Sequence, residues 1–155
     1  MGSLLAVDIG LKTGLALYGH DGRLCWYRSK NYGTATRLRR GANTLLNSVP
    51  DLLCIVLEGG GTLATIWERE AGRRRISLRQ INAEQWRQKL LYPREQLTGL
   101  QAKHHADELA RKIIAWSGIS RPASLRHDTA EAILIGLWGV LDRGWLKNVP
   151  HELRH

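Results

Sequence analysis

Apolar residues alternate or run together over three short stretches at the start of the chain, Leu4–Ile9, Gly14–Gly19 and Arg23–Lys30, each of which predicts a strand. Gly19-His20-Asp21-Gly22 joins the second to the third with residues suited to a tight hairpin turn. The period then changes. Leu38, Ala42, Leu45 and Val49 recur at helical spacing, while Arg37, Arg40 and Asn47 fall elsewhere on the cylinder, so Thr34–Val49 reads as a helix stopped by Pro50-Asp51. Leu52-Leu53-Cys54-Ile55-Val56-Leu57 is continuously apolar, the mark of a strand covered on both faces, and it ends at Glu58 before three glycines. A short helix over Thr62–Ala71 and a fifth strand near Arg75–Ile81 follow. Asn82 with Gln85 three residues on forms a capping box that opens a helix through Leu91. A longer helix buries Ala106, Leu109, Ala110, Ile113 and Ala115-Trp116; beyond Gly118 and Pro122, a last apolar helix spans Asp128 to Asp142. The tail from His151 reads as a frayed, solvated end.

This order defines an α/β protein, and 155 residues suit a single domain, 1–155. A right-handed crossover through Thr34–Val49 lays the fourth strand parallel to the first, so Asp8 and Glu58 end neighbouring strands on one sheet edge. Ligand sites of open α/β sheets lie at that edge. Asp128 and Glu131, three residues apart, share one face at the start of the last helix. Each acid has a plainer reading: Asp128 as a helix cap, Asp8 as a turn cap, Glu58 as a solvated strand end. Their convergence on one spot favours chemistry, because four carboxylates repel one another unless divalent cations hold them. Oxygen donors of this kind suit Mg²⁺ or Mn²⁺ rather than zinc.

Charge narrows the partner. Lys and Arg total 23 against 14 acidic residues, a formal +9, which favours a polyanion, nucleic acid above all. Arg69, Arg73, Arg74 and Arg75 cluster after the short helix, Arg37, Arg39 and Arg40 form a second group, and Lys12 lies in the first turn. Part of each cluster is solvated face. Apolar content of 43% and charged content of 24% exclude a disordered chain. Cys25 and Cys54 fall in strand-like runs and read as reduced core residues of a cytoplasmic or nucleoid-associated protein. No run is long enough for a membrane span. Of six Trp, Trp86, Trp116 and Trp138 read as core; Trp67 reads as core, with base stacking as the alternative.

Asp8-Ile9-Gly10 with Gly14-Leu15-Ala16-Leu17, the apolar strand ending in Glu58, and Asp128-Thr129-Ala130-Glu131-Ala132 together resemble the RuvC-type Holliday junction resolvases of the ribonuclease H-like superfamily. The resemblance covers Leu4 to about Val140. It implies a five-stranded mixed sheet of order 3-2-1-4-5 flanked by helices, and a homodimer that nicks four-way DNA junctions in pairs. It further implies two Mg²⁺ ions, for which Mn²⁺ can substitute, with Asp8 bridging them and Glu58, Asp128 and Glu131 completing the shell. Lys103, after Thr98-Gly99, is the basic residue the resemblance places near the scissile phosphate; His104 and His105 adjoin it.

The chain departs from the family pattern at Glu131, where Asp is more frequent, and His127 is a second choice of ligand, being four residues before Glu131. Three glycines follow Glu58 where some members carry an aromatic residue, so no cleavage-site preference carries over. The first segment also resembles the YqgF-type proteins linked to ribosomal RNA processing, and the phosphate loop of actin-like ATPases, which clasp nucleotide with a second domain. A nucleic-acid-binding relative without cleavage is the remaining alternative.

Overall fold

Alternate residues of the two central strands face opposite layers. In the computed structural model, which describes residues 2–96 and 98–154, five strands form one sheet: β1 (Ser3–Asp8), β2 (Lys12–Gly19), β3 (Leu24–Asn31), β4 (Leu52–Glu58) and β5 (Ser77–Ile81). Their order is β3-β2-β1-β4-β5. The hairpin pairs β1/β2 and β2/β3 are antiparallel, and β1/β4 and β4/β5 are parallel, as the crossover rule requires. Leu5, Val7, Ile55 and Leu57 point to the layer of α1 (Ala35–Asn47) and α2 (Thr62–Arg73). Leu4, Ala6, Cys54 and Val56 point to the layer of α3 (Ala83–Leu90), α4 (Gly99–Trp116) and α5 (His127–Asp142).

Helix α5 is buried continuously from Thr129 to Leu141, an all-round apolar helix that must sit in the core. Gly136 lets it approach the sheet, since a Cβ there would lie 2.2 Å from Tyr18 Cε1. The Tyr18 hydroxyl donates to the Ile133 carbonyl, which satisfies a fully buried phenol. The Asn82–Gln85 capping box opens α3 as expected, with both reciprocal bonds at 3.0 Å.

Some expectations change. Cys54 is buried, but Cys25 is exposed, because β3 is an edge strand and only part of it is covered. Trp67, on α2, is fully buried in the α1–α2 layer, as expected of a core residue, and base stacking drops out. The chain end is no frayed tail: residues 151–153 form a short 3₁₀ turn, Leu153 is buried, and Arg154 donates to the Leu90 carbonyl. His155 lies outside the described residues.

The buried Glu70 ties the α1–α2 layer. Arg74 reaches its carboxylate at 3.0 Å and also donates to the side chains of Asn43 (2.6 Å) and Asn47 (2.8 Å), while the more exposed Arg73 lies at 3.3 Å. Removing one partner of a buried ion pair strands the other charge. Arg74→Ala is therefore expected to cost roughly 3 kcal/mol. Thermal unfolding should show a fall in Tm of about 10 °C.

Candidate active site

The parallel register of β1 and β4 places Asp8 directly beside Glu58, and the Ile9 amide continues the ladder to the Glu58 carbonyl at 3.1 Å. On the other side Asp8 pairs with Gly14. That glycine is required: a Cβ at residue 14 would fall 2.0 Å from the Asp128 carbonyl oxygen. Backbone meets backbone there, and the start of α5 lies directly over β1 and β2. One turn along, Glu131 enters the site. Ligand oxygens of Asp8, Glu58 and Glu131 all lie within 4.8 Å of one another. Asp8 and Glu58 are half-buried and Glu131 is 9% exposed.

Burial and crowding make this cluster reluctant to ionise. The Asp8 carboxyl is pushed up from 3.8 to about 8, first by burial, then by the charges of Glu131 and Glu58, a hydrogen bond with Glu58 and the more distant Asp128. Glu58 is also raised, by burial and Glu131, although its bond with Asp8 and the nearby Arg87 guanidinium favour its charged form. Three carboxylates this close are compatible with a divalent-metal site, because such a cation removes the repulsion among them. Loading the ion must displace the Asp8 proton. Mn²⁺ affinity is thus expected to climb with pH up to about 8 and then level off. Calorimetry in two buffers of different ionisation enthalpy should show close to one proton released per binding event at pH 7 and almost none at pH 9.

The fourth expected acid is turned aside. Asp128 Oδ2 accepts from Ser29 Oγ at 2.9 Å on β3, and Oδ1 accepts from the Thr129 amide at 2.7 Å. It is not one of the three convergent carboxylates. His127 does reach the cluster, with Nε2 2.8 Å from Glu131 Oε1. Helical geometry explains the difference, since residues four apart are offset by less around the axis than residues three apart.

The expected basic residues divide. Lys12 lines a small cavity with Ser29, Asn31 and Arg126, next to Asp128. Helix α2 starts at the carboxylate edge and runs back, so Arg73, Arg74 and Arg75 precede β5 at the opposite edge. Arg69 and Arg73 line a groove of about 300 Å³ between α1 and α2 with Arg39. Lys103 is exposed near the start of α4. His104 pairs with Glu108 at 2.9 Å, and His105 lies between Glu95 (3.3 Å) and Glu108 (3.4 Å).

Sequence reasoning missed Arg87. It projects from α3 so that Nη2 lies 4.0 Å from Glu131 Oε1. The capping box and the burial of Trp86 and Leu90 set the phase of α3, and that much could be read from the chain. Which helix Arg87 would meet could not.

Sheet order and the helices on both faces give the ribonuclease H-like fold that RuvC structures have. Among solved structures, the chain is similar to Thermus thermophilus RuvC in complex with a Holliday junction substrate. The TM-score is 0.68 at 16% identity, over 93% of this chain and 96% of that one. A second Thermus thermophilus RuvC structure gives 0.67 at 14%, covering 92% and 96%. The yeast mitochondrial Holliday junction resolvase Ydc2 gives 0.56 at 13%, covering 93% and 81%. No protein-family profile matches the chain. No curated protein matches it by sequence.

Proposed function

We propose that this protein is a metal-dependent endonuclease that resolves four-way DNA junctions as a homodimer, by paired phosphodiester hydrolysis. The carrying observation is the meeting of Asp8, Glu58 and Glu131 within 4.8 Å at the carboxyl edge of the sheet, in a fold shared with a RuvC bound to a Holliday junction. Asp8, Glu58 and Glu131 would hold the ions, with Asp8 as the expected shared ligand, while Asp128 stays on Ser29 outside these three. Two Mg²⁺ ions, or Mn²⁺ in their place, would supply there an activated water and stabilisation of the leaving 3′ oxygen.

The chain's own groups then set the conditions for reaction. Burial of Asp8 and Glu58 strengthens every charge interaction in the site. His127 holds Glu131 in place from the preceding turn. The +9 charge draws the polyanion in. No described helix is long and apolar enough to cross a membrane; the cytoplasm or nucleoid, where such DNA is found, is the proposed location.

The test compares labelled four-way junction, splayed fork, linear duplex and an RNA–DNA hybrid in Mg²⁺. Symmetric paired nicks on the junction, absent in EDTA, are expected. Preferential cleavage of RNA would move the reading to a YqgF-like nuclease. Tight junction binding without cleavage in Mg²⁺ or Mn²⁺ would leave a binding module and remove the enzyme.

A further inference from the structure

One cation belongs to the acidic site, and its own partners satisfy it poorly. The first turn of α3 is fixed by the Asn82–Gln85 box, Trp86 and Leu90 are buried, and Arg87 is left facing Glu131 and Glu58. Its closest charge contact, Nη2 to Glu131 Oε1 at 4.0 Å, is at the outer limit of an ion pair and too long for a hydrogen bond. The guanidinium carbon lies 5.3 Å from the Trp86 ring centroid, so the aromatic face supports the side chain without using its N–H groups. Nε is closed off from water and has no hydrogen-bond partner. A desolvated N–H on a charged group is costly to leave unmatched. About a third of the side chain remains open, 36% by area, which leaves the guanidinium end able to meet an incoming anion.

We propose that Arg87 is a phosphate ligand of the active site, its guanidinium taking a non-bridging oxygen of the phosphodiester held at Asp8, Glu58 and Glu131. The inference rests on the nuclease reading above and adds a substrate-binding residue to it. A planar fork of donors suits phosphate oxygens better than an ammonium does. The location also has an electrostatic consequence. A fixed positive charge beside Glu131 and Glu58 opposes the metal, so Arg87 weakens metal binding while strengthening the hold on the strand to be cut.

These opposite signs make the test. Arg87→Gln and Arg87→Lys are compared with wild type for Mn²⁺ affinity by calorimetry, junction affinity in Ca²⁺ and single-turnover cleavage in Mg²⁺. Melting curves confirm the fold. Arg87→Gln should bind Mn²⁺ severalfold more tightly at low salt, because the positive charge 4.0 Å from Glu131 Oε1 no longer opposes the cation. It should also bind the junction less well and cut it roughly 10²-fold more slowly. Arg87→Lys should restore the metal affinity and recover only part of the cleavage.

If metal affinity and cleavage fall together in Arg87→Gln, the residue only supports Glu131. If cleavage rises along with metal affinity, it only competes with the ion. Unchanged junction affinity would overturn the proposal as well. An inactive wild type would refute the nuclease reading by itself, and the Mn²⁺ and junction-binding results would still decide the role of Arg87.

Discussion

Exchanging Asp8 for asparagine is expected to abolish strand cleavage while making the metal-free protein more stable at neutral and alkaline pH. The cleavage loss follows from removing one of three convergent carboxylates. At several kcal/mol of transition-state charge stabilisation, the rate should drop by about 10³-fold or more. The stability gain follows from linkage. Asp8 titrates at about 8 when folded and ordinarily at 3.8, so between those values the folded protein holds a proton that the unfolded chain releases. Its contribution to folding is full below pH 4, is lost as the pH climbs through 8, and stays lost above. Asparagine carries no such charge. The Tm of Asp8→Asn relative to wild type in EDTA should therefore increase across pH 4 to 8 and stay constant beyond. Saturating Mg²⁺ should reverse the ranking, because only wild type gains stability from binding the ion. A variant that is less stable than wild type at pH 8.5 in EDTA would contradict this picture of a repelling cluster.

Gly14→Ala should be severely damaging, because its new methyl meets backbone. The added carbon would lie 2.0 Å from the Asp128 carbonyl oxygen and 3.0 Å from the Thr129 amide nitrogen, and neither can swing away as a side chain would. Either β2 bows or the head of α5 lifts, and Asp128 and Glu131 withdraw from Asp8. Overpacking costs about 1–3 kcal/mol, and a backbone clash belongs at the upper end. A fall in Tm near 10 °C is expected. Cleavage should drop about 10²-fold, the usual consequence of misplacing catalytic groups by an ångström. Gly139→Ala is the comparison. Its new methyl would meet only side-chain carbons of Leu4 and Val56 at 3.0 Å, so a milder loss of stability with cleavage retained is expected. Equal cleavage by Gly14→Ala and wild type would show that the head of α5 does not position the site.

The sequence carried the frame of this site because the frame is set by short-range patterns and one topological rule. Alternation at Leu4–Val7, the apolar run into Glu58 and a right-handed crossover leave one way to place Asp8 beside Glu58, and the register does so. Helical spacing put both His127 and Glu131 within mutual reach, and they meet at 2.8 Å. What escaped depends on contacts between distant segments. Asp128 is held by Ser29, 99 residues away on an edge strand whose pattern says nothing of the helix end it meets. Arg74 reads as one of a basic cluster, yet it is engaged by Glu70, Asn43 and Asn47. Cys25 lies in an apolar stretch, but on an edge strand, where it is exposed. Leu153 looks like part of a loose tail until the turn at residues 151–153 brings it against the core.

Mn²⁺ soaked into crystals of the protein and located by its anomalous scattering tests the central claim most directly, that these acids hold the ions at which a phosphodiester is cut. The account predicts peaks at about 2.1 Å from carboxylate oxygens of Asp8, Glu58 and Glu131, lost in crystals of Asp8→Asn. Manganese bound only elsewhere, for example at the exposed His104–Glu108 pair, or no ordered manganese at the sheet edge, would contradict it.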